Sequence, residues 1–357
     1  MKHFQTTLSV LAISAAVFGT PALAQEKLRM TVATGHPAVF LWVKHFNQTF
    51  IPTLEAELAK TGEVEIEWTE AYGGTLVKLG GEAQAMQDGL IDVGQAMGVF
   101  DPANMGILNM TYSMPFGPVD PVLVTAAAEH ALMETDGFLD QLADTTGVVY
   151  IGGGIAIDGY NIASTKALST REDMAGVKIS GAGPNLSWLD GTNAVGVQGS
   201  YVSFYNDIKT GVSDGLIGWI TANAPSKIWE VAPYYNKVNF GAMYIGGIGV
   251  SQSRWDTLSD STKDAFKVAA KAYQDAYFAE QAANIEAGTR GMLDGGGEVV
   301  EFDDAERNAW ISEMANPVTA WSEAARARGE PVDELLAAYV AYLKDAGFTF
   351  PRDYLAE

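Results

Sequence analysis

One short motif in the chain could support hydrolytic chemistry. The segment Gly211-Val212-Ser213-Asp214-Gly215 matches G-x-S-x-G, the turn that presents the nucleophilic serine in α/β-hydrolases. In that fold the catalytic histidine follows the serine along the chain, whereas all four histidines of this chain precede Ser213. The turn also needs a strand before it and a helix after it, and the local pattern predicts the reverse. We therefore predict that Ser213 is not catalytic.

The sequence offers no recognisable metal or cofactor site. It contains no cysteine, which excludes disulfides, thiolate metal sites and a cysteine nucleophile. Its histidines form no H-x-x-x-H pair, so scattered carboxylates are the remaining possible Ca²⁺ ligands. The glycine clusters at 152–154 and 246–249 lack the G-x-G-x-x-G and G-K-[ST] patterns of nucleotide-binding loops. We predict no cofactor and no metal ion.

The composition is that of a globular, strongly acidic protein. The 357 residues are enough for roughly two domains of ordinary size. Lysine and arginine together number 22 and aspartate and glutamate 44, which gives a net charge of −22. Nucleic acids and anionic membranes are bound through clustered cations, so this balance argues against both as partners.

The N-terminal 24 residues have the pattern of a secretory signal peptide. Lys2 and His3 precede an apolar run from Leu8 to Phe18, and Ala22-Leu23-Ala24 forms an A-x-A cleavage site. No later segment of the sequence has the ~18 uncharged apolar residues of a membrane helix. We predict cleavage after Ala24 and export of the mature chain.

Strand and helix patterns alternate along the rest of the chain. The predicted strands are Leu28–Thr34, Val64–Thr69, Ile91–Gln95, Val148–Ile157, Val177–Ser180, Leu216–Ile220 and Ala242–Val250. The predicted helices are Phe40–Ala59, Gly81–Gly89, Val122–Leu142, Arg171–Met174, Asn185–Asn193, Ser203–Thr210, Ser261–Met292, Asp304–Arg328 and Val332–Lys344. Repeated βα units indicate an α/β fold with a mostly parallel sheet and helices on both faces. The sequence shows no linker between two domains. If the chain forms two hydrophobic cores, the chain must therefore cross between them, as in a hinged two-lobe protein.

Several short segments match one family, in the order in which the family has them. They are Tyr72-Gly73-Gly74-Thr75-Leu76, Gln87–Asp92, Met114-Pro115-Phe116, Leu168–Ile179, Gly211–Gly215, Glu230-Val231 and Trp255–Leu258. Over roughly residues 28–290 the chain thus resembles the solute-binding subunit of tripartite ATP-independent periplasmic (TRAP) transporters. That family has G-v-v-D-G at the segment 211–215, which explains the serine motif without catalysis.

The resemblance implies a two-lobe, periplasmic-binding-protein-like fold with crossing strands and a long spine helix between the lobes. Lobe I would comprise residues 25–157 plus about 244–280, and lobe II residues 158–243 plus about 281–330, before a C-terminal helix and tail at 331–357. The implied function is capture of a small organic solute in the inter-lobe cleft and its delivery to membrane permease subunits. A periplasmic location and a monomer are expected.

Two other functions are consistent with an exported α/β protein. One is a secreted hydrolase that uses carboxylates. The number and positions of the histidines disfavour this function. The other is the receptor of an ATP-driven importer, which shares the two lobes but lacks the long spine helix. A continuous helix from Ser261 to about Met292 would therefore favour the TRAP receptor, and we predict that the protein is not an enzyme.

The chain departs from the family at positions that contact the solute. The family clamps a carboxylate with an arginine after Lys-Ile, a geometry that guanidinium supplies well. Here Lys178-Ile179 is followed by Ser180, and Gly159-Tyr160, where a second arginine often follows, is followed by Asn161. The segment Leu216–Trp219 is apolar where the family has polar residues.

The predicted cleft is aromatic and hydroxyl-rich rather than cationic. The predicted solute-binding residues are His36, Lys78, Met97, Tyr160, Asn161, Ser180, Tyr201, Trp219 and Phe240. Tyr201 stands where the family stacks a ring on the solute, His36 follows the first strand, and Lys78 is a possible partner for a carboxylate. Because buried charge needs a partner, we expect a monocarboxylate, an aromatic acid or a zwitterion rather than a dicarboxylate.

Overall fold

A computed structural model describes residues 26–356. The predicted signal peptide and its cleavage site lie outside the described residues. Within residues 26–356, no helix is both long enough and apolar enough to cross a membrane.

Ten strands in the described part of the chain form one connected sheet. They are β1 Glu26–Ala33, β2 Val64–Ala71, β3 Val93–Ala96, β4 Val148–Tyr150, β5 Ile155–Ser164, β6 Lys178–Gly181, β7 Val195–Gln198, β8 Gly215–Gly218, β9 Tyr234–Ser251 and β10 Glu298–Glu301. The order is β2-β1-β3-β9-β5-β8-β6-β7, and β4 and β10 also pair with β9. The pairs β1–β2, β1–β3, β6–β7 and β6–β8 are parallel, whereas β5 and β9 run antiparallel to each other.

Helices pack against this sheet. They are α1 Leu41–His45, α2 Ile51–Thr61, α3 Glu82–Gln87, α4 Met110–Ser113, α5 Pro121–Glu134, α6 Phe138–Thr146, α7 Arg171–Met174, α8 Phe204–Lys209, α9 Ile220–Asn223, α10 Gln252–Trp255, α11 Asp260–Asp294, α12 Asp304–Glu313, α13 Pro317–Ala327 and α14 Val332–Asp345. A π-helical segment, Phe46–Phe50, joins α1 to α2, and 3₁₀ turns cover Gly106–Asn109, Gly183–Leu189 and Ile228–Glu230.

Strands β5 and β9 connect the two halves of the sheet. The C-terminal end of β9 pairs with β3 and β4, and its N-terminal part pairs with β5 and β10. The β5–β9 ladder has register shifts between Ile155 and Ile162. Such bulges bend a strand and redirect its side chains. This irregular stretch carries Ile157 and Tyr160, which both reach the site described below.

The long helix α11 ties the two halves together along one side. It begins one residue before the predicted start and runs for 35 residues, about 52 Å at 1.5 Å per residue. The side chain of Ser259 caps its first turn by accepting from the backbone of Thr262. Gln281 Nε2 donates to the carbonyl oxygen of Ala156 at 3.0 Å, which holds the helix against β5. The predicted continuous helix is confirmed.

Several predicted elements are divided or were missed. The helix predicted at 122–142 is two helices, because Gly137 adopts a left-handed conformation with φ of 66° between them. The strand predicted at 148–157 is β4 and β5, separated by Gly152 and Gly153, which both have positive φ. The helix predicted at 185–193 is a 3₁₀ turn that ends at Leu189. The four-residue strands β7 and β10 were not predicted because so short a segment shows no clear alternation.

Candidate functional site

The site is a cavity of about 320 Å³ between the two halves of the sheet. Residues from both halves line it: Gly35, His36, Pro37, Phe40, Trp42, Leu79, Val99, Phe100, Tyr112, Ile157, Tyr160, Ala182, Asn185, Ser200, Tyr201, Val202, Phe204, Ile217, Trp219 and Ile245. At about 30 Å³ per water molecule, this volume corresponds to about ten waters, so a small organic molecule fits.

The topology explains why these residues meet. His36 follows β1, Phe100 follows β3, Asn185 follows β6, Tyr201 follows β7 and Trp219 directly follows β8. Each therefore lies beyond the carboxyl end of a strand in one of two parallel groups. That is the edge at which open α/β sheets bind their ligands.

The cavity walls on the β8 side are aromatic. The ring centroid of Trp219 lies 4.8 Å from that of Tyr160 and 4.7 Å from that of Tyr201. Burial raises the pKa of both tyrosines well above the usual range, so their hydroxyl groups are uncharged at physiological pH. The Tyr160 hydroxyl lies 3.1 Å from that of Tyr112, which joins two lining side chains.

Tyr201 is held in one position by its hydroxyl group. The oxygen accepts from the backbone N–H of Trp219 at 3.2 Å, and the hydroxyl donates to Oδ1 of Asn223 at 3.2 Å. This approach is possible because residue 218 is glycine. A Cβ at Gly218 would lie 2.0 Å from the Tyr201 oxygen, so any side chain there would displace the ring.

The opposite wall is built around His36. Its ring makes edge contacts with Phe40, Trp42 and Phe100, whose centroids lie 4.7–5.2 Å away. Burial lowers the pKa of His36 to about 4, and the interaction with the Gln95 side chain offsets this only in part. The imidazole is therefore neutral at physiological pH, and among residues 26–356 its Nδ1 has no hydrogen-bond partner.

Charge is excluded from the cavity lining. Of the side chains described, none that lines the cavity belongs to lysine, arginine, aspartate or glutamate. The polar residues of the lining are all uncharged: Tyr112, Tyr160, Tyr201, His36, Asn185 and Ser200. Nδ1 of His36 and Oδ1 of Asn185 are themselves buried. The cavity can therefore enclose an apolar body and contact a few polar atoms, but it offers no ion pair.

The structure brings four of the nine predicted site residues into this lining: His36, Tyr160, Tyr201 and Trp219. Lys78 and Met97 lie elsewhere in the described structure. The Lys78 side chain is folded back, and its Nζ donates to the carbonyl oxygen of Gly74 at 2.7 Å. Met97 follows β3 but is buried in the main hydrophobic core.

The other three predicted residues also lie outside the cavity lining, for different reasons. The side chain of Asn161 makes its hydrogen bonds within the β5–β9 connection. Its Nδ2 donates to the Tyr235 hydroxyl, and its Oδ1 accepts from the backbone N–H of Asn239. Ser180 is fully buried in β6, and its short side chain does not reach the cavity. Phe240 is fully buried behind the wall among aromatic rings.

Sequence reasoning missed other lining residues. Phe40, Trp42 and Phe100 form the wall around His36, and Asn185 provides an amide on the opposite side. Phe40 and Trp42 stack with centroids 4.7 Å apart. Both residues lie within ten residues of the end of β1. His36 was predicted because ligands bind beyond the carboxyl ends of strands, and the same argument could have identified Phe40 and Trp42.

A buried carboxyl group lies in β5 close behind the cavity wall. Oδ2 of Asp158 accepts from the backbone N–H of Thr221 at 3.2 Å, and Oδ1 accepts from the Thr221 hydroxyl. Burial raises the pKa of Asp158 to about 6, and these hydrogen bonds offset the rise only in part. The contact joins β5 to α9, at the connection between the two halves of the sheet.

Asp158 should make the protein less stable as the pH rises from about 4 to 6. The folded chain keeps the proton up to about pH 6, whereas the unfolded chain loses it near 3.8, so unfolding releases a proton in this window. In the solute-free protein, the free energy of unfolding relative to Asp158→Asn should fall by about 2–2.5 kcal/mol between pH 4 and 7. Urea unfolding at several pH values measures this difference, and a constant difference would contradict it.

His36 provides a control in which stability should change with pH in the opposite direction. Its pKa is about 4 in the folded chain and 6.5 in the unfolded chain, so unfolding takes up a proton between these values. Relative to His36→Gln, the wild-type protein should therefore lose about 3 kcal/mol as the pH falls from 7 to 4. The same urea series measures both variants.

The serine motif does not form a nucleophile elbow. Helix α8 precedes it and strand β8 follows it, the reverse of the required order, and Ser213 is buried. In the described part of the chain, no cluster of three or more histidine, aspartate and glutamate side chains is placed to hold a metal ion.

A family model for bacterial extracellular solute-binding proteins, family 7, matches residues 44–324. No curated protein sequence matches the chain significantly. The likeness therefore rests on the family model and on solved structures.

The solved structures share the whole fold. A TRAP periplasmic solute-binding protein from Desulfovibrio salexigens superposes with a TM-score of 0.75 at 17% identity, over 90% of this chain and 98% of that chain. One from Bordetella bronchiseptica, with bound (R)- and (S)-mandelate, gives 0.69 at 21% identity, over 89% and 99%. A marine metagenome protein in complex with pyroglutamate gives 0.68 at 20%, over 88% and 98%. These likenesses confirm the predicted two-lobe α/β fold.

The family model covers most of the chain and confirms the expected family. Its members are extracytoplasmic receptors rather than enzymes, and they bind small organic solutes and work with membrane permease subunits. This excludes the secreted hydrolase and the receptor of an ATP-driven importer. The chain belongs to the bacterial extracellular solute-binding proteins of family 7, the receptors of TRAP transporters.

Proposed function

We propose that this receptor captures a small organic solute with a ring or another compact apolar body in the aromatic cavity. The solute carries at most one net charge and is a monocarboxylate, an aromatic acid or a zwitterion. The receptor delivers it to the membrane subunits of its transporter. We further propose that the mature protein begins after Ala24, resides in the periplasm and acts as a monomer.

The observation that carries the proposal is the lining of the cavity. Aromatic rings form two of its walls, and no cationic side chain among the described residues lines it. An unpaired carboxylate costs several kcal/mol when it is buried away from water. A dicarboxylate would bury at least one such group, whereas an aromatic body gains from stacking and from apolar contact.

One carboxylate can be accommodated at the edge of the cavity. Ser200 and Val202 both line it and are exposed, so this side is open to water. A carboxylate that remains there keeps part of its hydration and can accept from the Ser200 hydroxyl. The mandelate bound by the Bordetella bronchiseptica protein has this form, a benzene ring with one carboxylate.

We propose that the two lobes correspond to the two strand groups joined by β5 and β9. The boundaries at about 157 and 244 fall inside these two strands. Helix α13, assigned to lobe II from the sequence, fits lobe I better. It packs on α4 and α14, and Trp321 Nε1 donates to the Gly106 carbonyl oxygen at 2.8 Å.

A thermal-shift screen tests the proposal. The protein is unfolded and refolded to remove any solute that copurifies, and then heated with small acids, ring compounds and zwitterions. A ligand that binds only the folded form raises the melting temperature. We expect shifts with members of the benzoate, mandelate or betaine classes and none with succinate, and we expect Trp219→Ala to reduce these shifts strongly. A shift with succinate that equals the largest shift would contradict the proposed solute class.

A further inference from the structure

We propose that the cavity recognises a positive charge on its solute, and that the buried carboxylate of Asp158 makes it selective for that charge. The inference rests on the proposed function and narrows it, because only the zwitterion among the proposed solute classes carries a cationic group. The solute would place a quaternary ammonium or pyridinium group among the aromatic rings. Its carboxylate would stay at the open edge of the cavity near Ser200.

The first observation is the aromatic content of the cavity lining. Eight of its twenty residues are phenylalanine, tyrosine or tryptophan. The ring planes of Tyr160 and Trp219 are inclined by 52°, and those of Tyr201 and Trp219 by 66°, so these three rings form a corner rather than a flat wall. The electron-rich face of an aromatic ring attracts a cation, and the attraction is stronger where water is excluded. The lining therefore favours a cation over an anion.

The second observation is the position of Asp158. It is 3% exposed and lies in β5 between Ile157 and Tyr160, which both line the cavity. Its carboxylate accepts from Thr221, two residues after the lining residue Trp219. Burial is the main cause of the raised pKa of Tyr160, and the charge of Asp158 adds to the rise. The carboxylate therefore acts on the cavity through its electric field, which a buried site screens weakly, and it does not need to contact the solute.

The third observation is that this carboxylate has no cationic partner. Within the described range 26–356, its charge is stabilised by the Thr221 hydroxyl and nearby backbone N–H groups, and Asp158 forms no ion pair. The titratable side chains with which its charge interacts are all tyrosines that burial keeps neutral: Tyr160, Tyr201, Tyr235 and Tyr277. A buried charge without a counter-ion is unfavourable. A cation in the cavity supplies that counter-ion, whereas an anion there is repelled.

Two ring carboxylates of the same shape test this inference. Trigonelline is a pyridinium ring with an N-methyl group and a carboxylate, and 3-methylbenzoate has a carbon in place of the charged nitrogen. In calorimetric titrations at pH 8, we expect the wild-type receptor to bind trigonelline about tenfold tighter or more. Asp158→Asn should weaken the binding of trigonelline and strengthen that of 3-methylbenzoate, because it removes a charge that attracts the cationic ring and repels the anion. The preference should fall about fivefold or more.

Thr221→Val is the control for damage to the contact between β5 and α9. It removes the hydroxyl that donates to Asp158 but keeps the carboxylate. At pH 8 this variant should keep the preference for trigonelline. Acidification gives a second measure of the same charge. As the pH falls from 8 to 5, through the pKa of Asp158 at about 6, the preference should decrease in the wild type and stay constant in Asp158→Asn.

The outcomes separate this inference from the proposed function. If 3-methylbenzoate binds as tightly as trigonelline or tighter, cation recognition is overturned and the aromatic cavity remains the solute site. If Asp158→Asn changes both affinities by the same factor, Asp158 is a structural residue only and the inference is overturned in the same way. If neither compound binds, or succinate alone does, the proposed solute class fails and the role of Asp158 fails with it.

Discussion

Replacement of Trp219 by alanine is expected to weaken the binding of a ring-bearing solute about a hundredfold. Trp219 lies between Tyr160 and Tyr201 and lines the cavity directly after β8. A tryptophan ring buries about 150–250 Å². If about half of that area is shared with the solute, its loss at 25 cal/mol per Å² costs about 2–3 kcal/mol. Calorimetric titration of the best ligand from the screen measures the change.

Trp219→Phe is the matched control for this variant. It keeps an aromatic face toward the solute, so we expect it to lose about tenfold or less. Circular dichroism and the melting temperature of each solute-free variant show whether the fold is intact. A folded Trp219→Ala protein with wild-type affinity would place the solute elsewhere.

Replacement of Phe240 by alanine is expected to act on stability rather than on binding. Phe240 is fully buried, and its ring centroid lies 5.2 Å from Phe116, 5.1 Å from Trp188 and 5.4 Å from Trp310. Removal of a phenylalanine from such a core costs about 3–5 kcal/mol. Urea unfolding of the solute-free protein measures the loss. The affinity of the folded fraction should stay within about threefold, because the side chain does not reach the solute.

Phe240→Leu separates the loss of volume from the loss of the aromatic ring. It fills most of the space, so it should cost less than half as much as the alanine variant. The account of Phe240 would fail if the alanine variant kept its stability and lost affinity as strongly as Trp219→Ala. That result would return Phe240 to the solute-binding residues.

Two features of the sequence allowed part of the fold and of the site to be predicted. One is the recurrence of apolar residues at helical spacing, and the other is the position of residues at the ends of predicted strands. Phe266, Ala270, Tyr273 and Tyr277 recur at helical spacing, and all four are buried in the long helix, as the pattern indicated. The predicted binding residues that reach the cavity all lie at or beyond strand ends or in the irregular stretch of β5. Parallel strands bring such positions together whatever the loops between them do.

The other residues predicted to bind the solute do not line the cavity, because the direction and the length of each side chain are set locally. Neighbouring strand residues point to opposite faces, so Tyr160 lines the cavity while Asn161 turns into the connection between β5 and β9. At position 180 a serine is several atoms shorter than an arginine and ends inside the core. The side chain of Lys78 donates a hydrogen bond to the carbonyl oxygen of Gly74, four residues earlier. Neither composition nor residue spacing predicts this conformation.

Loss of the expected arginines is consistent with the rest of the cavity. An arginine in the cleft stabilises a bound carboxylate through an ion pair. The polar residues that line this cavity are all uncharged. The net charge of −22 further disfavours anions at low salt, although screening beyond about 10 Å weakens that effect at 0.1 M. Selectivity should therefore come from the shape and the polarity of the solute.

Calorimetric titration of the refolded, solute-free receptor with benzoate and with succinate tests the central claim most directly. Both ligands are carboxylates, but benzoate replaces one carboxylate by a ring that the aromatic walls can hold. We expect measurable benzoate binding that Trp219→Ala weakens, and no succinate binding at millimolar concentration. Micromolar or tighter binding of succinate would contradict the account, because it would require a cation in a cavity that the described residues line without one.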